Sequence, residues 1–241
     1  MDSDFRIYST PSELAEAFAN ELITFINEAA VTGKKYTIAL SGGNSPQLLF
    51  SVLAEKHYES VDWNTVHFFW VDERCVSPED KESNFGNARR LLLGKIKISD
   101  DSIHRIRGEA DPAAEAVRYS GEIMNIIGSE GQLPVFDHII LGLGDDGHTA
   151  SIFPENIELM NSDNICEVSS NPKTGQKRIT LTGKVINHGK KITFLVTGES
   201  KARIVNEIFQ KHFASKAYPA SYIMPLNGTL TWLLDENAAG L

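Results

Sequence analysis

YTIALSGGNSP, residues 36–46, is the stretch whose reading decides the fold. Tyr36–Leu40 is short, apolar and bounded by turn residues, so it reads as a buried strand. Gly42 and Gly43 break it, and Pro46 suits the first turn of a helix over 46–55, with Ser45 as its cap. A buried strand running through a glycine-rich turn straight into a helix is the opening half of a strand–helix–strand unit with parallel strands.

The same alternation runs outward from it. Phe5–Tyr8 reads as a strand, and Thr10-Pro11-Ser12-Glu13 has the form of a capping box with proline at the first helical position. Behind it Leu14, Ala17, Phe18, Leu22, Phe25, Ile26 and Ala29 recur at helical spacing, and Gly33 supplies the stop. Downstream, Val66–Val71, Phe136–Leu141, Ile192–Val196 and Thr229–Leu234 read as strands, with helices expected over 84–93, 112–127, 200–211 and 235–239. Strands separated by helices at this spacing predict an α/β fold with a mainly parallel sheet. Without repeats, low-complexity blocks or a linker, residues 1–241 are read as one domain.

Composition removes several functions. The chain carries 23 Lys+Arg against 32 Asp+Glu, a formal net charge of −9. That balance speaks against nucleic acid and anionic membranes as partners, since both favour net positive charge. No apolar run nears the roughly 18 residues a spanning helix needs. The start, MDSDFRIYST, has neither the basic region nor the apolar core of a secretory signal. Cys75 and Cys166 make neither a disulfide framework nor a zinc spacing, so a cytoplasmic location is expected.

In an open α/β sheet, ligands bind outside the carboxyl ends of the strands. Three loops at such ends stand out. Ser41-Gly42-Gly43-Asn44 can turn backbone N–H groups toward a phosphate at a helix N-terminus, and equally reads as a tight turn. Asp72-Glu73-Arg74 places three charges directly after an apolar strand, where they must meet water, one another or a ligand; Arg74 has the fork geometry for phosphate or carboxylate. Gly142-Leu143-Gly144-Asp145-Asp146-Gly147-His148 formally matches a dinucleotide fingerprint. However, Asp145 and Asp146 stand where a pyrophosphate would approach, and Pro154 allows no long helix immediately afterwards. What remains is Asp146 two positions before His148, a carboxylate suited to orient an imidazole base. His57, His67, His104, His138, His188 and His212 are read as structural. Asp72, Glu73, Asp146 and His148 offer metal ligands, yet no paired histidine spacing exists and Arg74 competes for the carboxylates, so a metal-free site is expected. Ser41, Ser45 and Ser151 lie in no nucleophile elbow.

Taken together, SGGNSP at 41–46, VDER at 71–74 with Ser83-Asn84, FDHIILGLGDDGHTASIFP at 136–154, KRITLTGKVIN at 177–187, FLVTGESKA at 194–202 and YPASYI at 218–223 resemble the 6-phosphogluconolactonase family. The resemblance implies a Rossmann-like three-layer α/β/α sandwich, shared with glucosamine-6-phosphate deaminase. It implies hydrolysis of 6-phosphoglucono-δ-lactone in the pentose phosphate pathway, with no cofactor. The partner implied is a small sugar-phosphate lactone, met by a monomer or homodimer. His148 would activate water, Asp146 would support it, and Arg74 with backbone donors would stabilise the oxyanion. Ser41, Gly42, Gly43, Asn44, Asp72, Arg178 and Lys201 would complete the substrate and phosphate site, with Glu73 helping Asp72 to shape it.

Two other readings compete with it. The deaminase pattern puts a glutamate five residues beyond the histidine, where this chain has Phe153, and typically a tyrosine where it has Arg74. A non-catalytic sugar-phosphate sensor normally carries an attached DNA-binding segment, which is not read here. One departure from the lactonase pattern is Asn44-Ser45, which stands where the family often has Ser-Thr.

Overall fold

A computed structural model describes residues 4–128 and 133–241. In chain order it contains β1 (Asp4–Tyr8), α1 (Pro11–Val31), β2 (Tyr36–Leu40), α2 (Asn44–Lys56), β3 (Val66–Trp70), β4 (Asp72–Arg74) and α3 (Asn84–Ala88). There follow β5 (Ile103–His104), α4 (Pro112–Ile127), β6 (His138–Leu141), β7 (Cys166–Ser170), β8 (Lys177–Leu181) and α5 (Gly183–Asn187). The chain closes with β9 (Lys191–Val196), α6 (Ala202–Phe209), β10 (Thr229–Asp235) and α7 (Glu236–Ala239).

Seven strands form one sheet in the order β1-β10-β9-β6-β2-β3-β5, and every pairing in it is parallel. Helices flank it, giving the three-layer α/β/α sandwich. All residues of β2 and β6 are buried, which explains their unbroken apolar character. From β2 the chain winds to β3 and β5, whereas from β6 it winds the opposite way to β9. The loops leaving β2 and β6 diverge, and a crevice opens between neighbouring strands at that switch point.

Local chemistry sets several boundaries. Thr10 accepts a hydrogen bond from the Glu13 N–H at 3.2 Å and Pro11 begins α1, as the capping pattern predicts. Asp111 caps α4 in the same way. One expectation fails: Ser45 does not cap α2. Gly43, at φ 100°, is the N-cap, and the helix begins at Asn44 with no side chain capping it. Only glycine adopts that conformation without strain. The Ser45 hydroxyl instead lies 2.7 Å from that of Thr197, tying α2 to the loop after β9.

A second sheet is absent from the sequence reading, which treats 72 onward as a polar loop. β4, β8 and β7 form an antiparallel sheet in the order β4-β8-β7. Its register sets Arg74 opposite Arg178 and Asp72 opposite Thr180. No helix among the described residues is long and apolar enough to cross a membrane.

α4 fixes the end of β3. Because β5 pairs only with Phe68 and Phe69, the outward N–H and C=O of Trp70 have no strand partner there. The buried Tyr119 hydroxyl takes both, accepting from the Trp70 N–H at 2.8 Å and donating to its carbonyl at 2.9 Å. Tyr119→Phe leaves two buried backbone groups unsatisfied, and is expected to destabilise the protein by about 2–4 kcal/mol. Denaturant unfolding measures this; a loss under about 0.5 kcal/mol, the ordinary scatter of neutral substitutions, would refute the clamp.

Candidate active site

The loops after β2, β6 and β9 meet β4 and β8 around a cleft of about 240 Å³. Of the residues expected from sequence, Ser41, Gly42, Gly43, Asp72, Arg74, His148, Arg178 and Lys201 line it. Asn44 and Asp146 do not, and stand next in the chain to Gly43 or hydrogen-bonded behind His148.

His148 and Asp146 form the pair that their spacing suggests. Nδ1 of His148 lies 2.5 Å from Oδ1 of Asp146, which also accepts the His148 backbone N–H at 3.1 Å. Burial alone would raise the Asp146 carboxyl, but the hydrogen bond and charge of His148 outweigh it and hold the group down to about 2. Asp146 stays ionised at neutral pH and keeps a proton on Nδ1, so the neutral imidazole presents its lone pair on Nε2. The ring packs directly over Gly144: a Cβ there would lie 2.0 Å from Nδ1. Phe153, buried, holds its ring centroid 4.6 Å from that of His148 and 5.7 Å from the Arg178 guanidinium carbon. Ala150, on the cleft wall, adopts φ 52°, a strained value for a residue other than glycine.

The opposite wall is cationic. Arg74 donates to the Glu82 carbonyl at 2.8 Å. Arg178 reaches Ser151 Oγ at 3.5 Å and Gln176 at 3.3 Å, and stands 4.0 Å from Asp72. Among the described residues, the Nε groups of both arginines and the Ser41 hydroxyl are buried without a hydrogen-bond partner. Burial, followed by the neighbouring charge of Arg74, pushes Arg178 below the usual guanidinium value. Two guanidinium groups with unused donors facing one cleft suit an anion or a developing negative charge.

Asp72 and Glu73 shape this wall. Asp72 accepts from Ser151 Oγ at 2.6 Å, and its backbone carbonyl accepts from the Asn84 amide at 2.9 Å. Glu73, buried, takes the backbone N–H groups of Arg74, Asn84 and Phe85 and the Ser83 hydroxyl. Burial pushes its carboxyl up against those four donors, so its work is to join α3 to β4. Asn84, which lines the cleft, and Ser151, buried behind Asp72, are residues that sequence reading did not single out for the site. The adjacency of Ser83-Asn84 to a helix start is the one local signal for Asn84. Lys201 forms an ion pair with Asp145 at the rim of the cleft.

The family model for glucosamine-6-phosphate isomerases/6-phosphogluconolactonase matches residues 9–232. The chain belongs to that family. It is 42% identical over 237 residues to a 6-phosphogluconolactonase of Aggregatibacter actinomycetemcomitans, covering 97% of each chain. A crystal structure of a devB protein superposes with a TM-score of 0.94 at 39% identity, covering 99% of both chains. The 6-phosphogluconolactonase from Trypanosoma cruzi gives a TM-score of 0.88 at 28% identity over 99% of this chain and 96% of its own.

The packing of His148 on Gly144 generates a direct test. The proton between His148 and Asp146 is expected to give a downfield proton NMR resonance. It should persist as pH falls through the ordinary carboxylate range, because Asp146 releases the bond only toward its depressed value of about 2. Gly144→Ala should abolish the resonance; an unchanged line in that variant would mean that the ring does not sit on Gly144.

Proposed function

We propose that the cleft hydrolyses 6-phosphoglucono-δ-lactone to 6-phosphogluconate, a step of the pentose phosphate pathway, with water activated by His148. The observation that carries this reading is the Asp146–His148 pair, which leaves Nε2 as the base on a cleft faced by Arg74 and Arg178. The near-full-length identity to a lactonase supports the substrate.

Water gives a proton to Nε2 of His148 as its oxygen bonds to the lactone carbonyl carbon. Asp146 stabilises the resulting imidazolium. The carbonyl oxygen becomes an oxyanion, met by Arg74 and by backbone donors near Gly42–Gly43 or the 144–148 loop; one such donor is typically worth about 3–4 kcal/mol. The bond from that carbon to the ring oxygen then breaks, and the ring oxygen takes the proton back from His148. The new carboxylic acid ionises, so each turnover releases one proton to solvent. Water supplies the only atoms added, and no cofactor enters the balance.

The substrate phosphate is assigned to the uncapped start of α2 at Gly43 and Asn44, to Ser41 and to Lys201, with Arg178 as a further cation. The deaminase reading loses support at Phe153. A buried aromatic ring stands beside His148 where that chemistry would need a carboxylate.

His148→Ala is expected to lower kcat by about 10²–10⁴-fold with the fold intact. Lys201→Ala is expected mainly to raise KM, since it removes binding that substrate and transition state share. Both are read in a continuous assay on freshly generated lactone, corrected for spontaneous opening. Wild-type rates in His148→Ala would sink the mechanism, and an unaltered KM would remove Lys201 from the phosphate site.

A further inference from the structure

The site as described uses His148, Asp146, the two arginines and the start of α2, but leaves Asp145 without a task. Its carboxylate lines the cleft and is paired with Lys201, and Ser200 Oγ donates to the same oxygen at 3.3 Å. The two partners differ in exposure: the Lys201 side chain is 20% exposed and that of Asp145 is 65% exposed. The lysine is anchored in the wall, while the aspartate covers it from the solvent side. An anion approaching Lys201 from solvent meets a carboxylate already in place.

We propose that Asp145 is a specificity-tuning residue that competes with the substrate phosphate for Lys201 and so weakens the hold of the cleft on phosphorylated ligands. The proposal rests on the reading that Lys201 meets the phosphate. A dianionic phosphate must take Lys201 from Asp145 or bind beside a like charge, and either way the free-enzyme ion pair opposes binding. The product carries one more negative charge than the lactone, so the opposition is greater for product than for substrate. Asp145 thereby favours release after ring opening.

Asp145→Asn is the informative variant. Its amide oxygen still accepts a hydrogen bond from Lys201, so the lysine keeps its place while the competing charge is lost. Like-charge repulsion at such a partly solvated distance is expected to amount to about three- to tenfold in affinity. KM for the phosphorylated lactone should fall by that factor, and the inhibition constant of 6-phosphogluconate should fall at least as far. Both effects should shrink as ionic strength rises. Hydrolysis of unphosphorylated glucono-δ-lactone should change less than about twofold, a contrast that a general loosening of the loop would not produce. Asp145→Glu should retain wild-type constants, and Asp145→Asn in a Lys201→Ala background should have no effect of its own.

An unchanged or raised KM in Asp145→Asn, with an active wild-type protein, overturns the role of Asp145 alone. A wild-type protein that neither opens the lactone nor binds 6-phosphogluconate in a calorimetric titration overturns the functional reading and this one with it.

Discussion

Val71 is bonded in two directions, and the site depends on it. Its N–H donates to the Leu40 carbonyl at 2.8 Å, and its own carbonyl accepts from the Leu181 N–H at 2.7 Å. The first bond belongs to the end of the parallel sheet and the second to the start of the antiparallel one. A strand serving both cannot run straight on, so the chain turns at Val71 and β4 leaves along β8. That turn sets Arg74 opposite Arg178 and aligns Asp72 with Thr180. Two guanidinium groups side by side repel each other, and burial of Arg178 adds to the cost. A cleft that keeps them there gains their unused donors for an arriving anion.

The parallel half of this arrangement was legible in the sequence because its determinants are local. The Thr10 and Asp111 caps lie within three residues of the groups they satisfy. β2 and β6 are apolar throughout because both faces of the sheet are covered. The antiparallel sheet was not legible, because β4 has three residues, two of them acidic, and its partner β8 lies about a hundred residues downstream. Nothing within a short window distinguishes such a strand from a polar loop. Ser45 illustrates the opposite difficulty. It has the chemistry of a cap, but the positive φ of Gly43 starts the helix earlier and leaves the backbone donors of the first turn open. Backbone conformation decided that point, and no side chain caps the start of the helix.

Within the family, the fold alone does not select between chemistries. The choice lies in a few side chains on a shared scaffold. Asp146 and His148 are fixed two residues apart by their loop, so the imidazole has one carboxylate partner. A glutamate at the position of Phe153 would place a second carboxylate close to both His148 and Arg178. It would compete for the imidazole proton and neutralise part of the guanidinium field. Phe153 does neither: its ring packs against the imidazole of His148 and lies close to the Arg178 guanidinium without adding a charge. A buried ring at that point preserves both the single acceptor on Nδ1 and the positive field across the cleft.

The net charge of −9 bears on this cleft less than its magnitude suggests. Surface charges are screened over about 8–10 Å at ordinary ionic strength, so their average governs extended partners such as polymers and membranes. The cleft of about 240 Å³ has its own local charge, set by an uncapped helix start, two arginines and a lysine together with Asp72 and Asp145. Charges this close to one another act at short range, where screening is weakest. Net charge and the charge of one cleft are therefore separate quantities: the first averages a whole surface, the second is set by the few side chains that line the cleft.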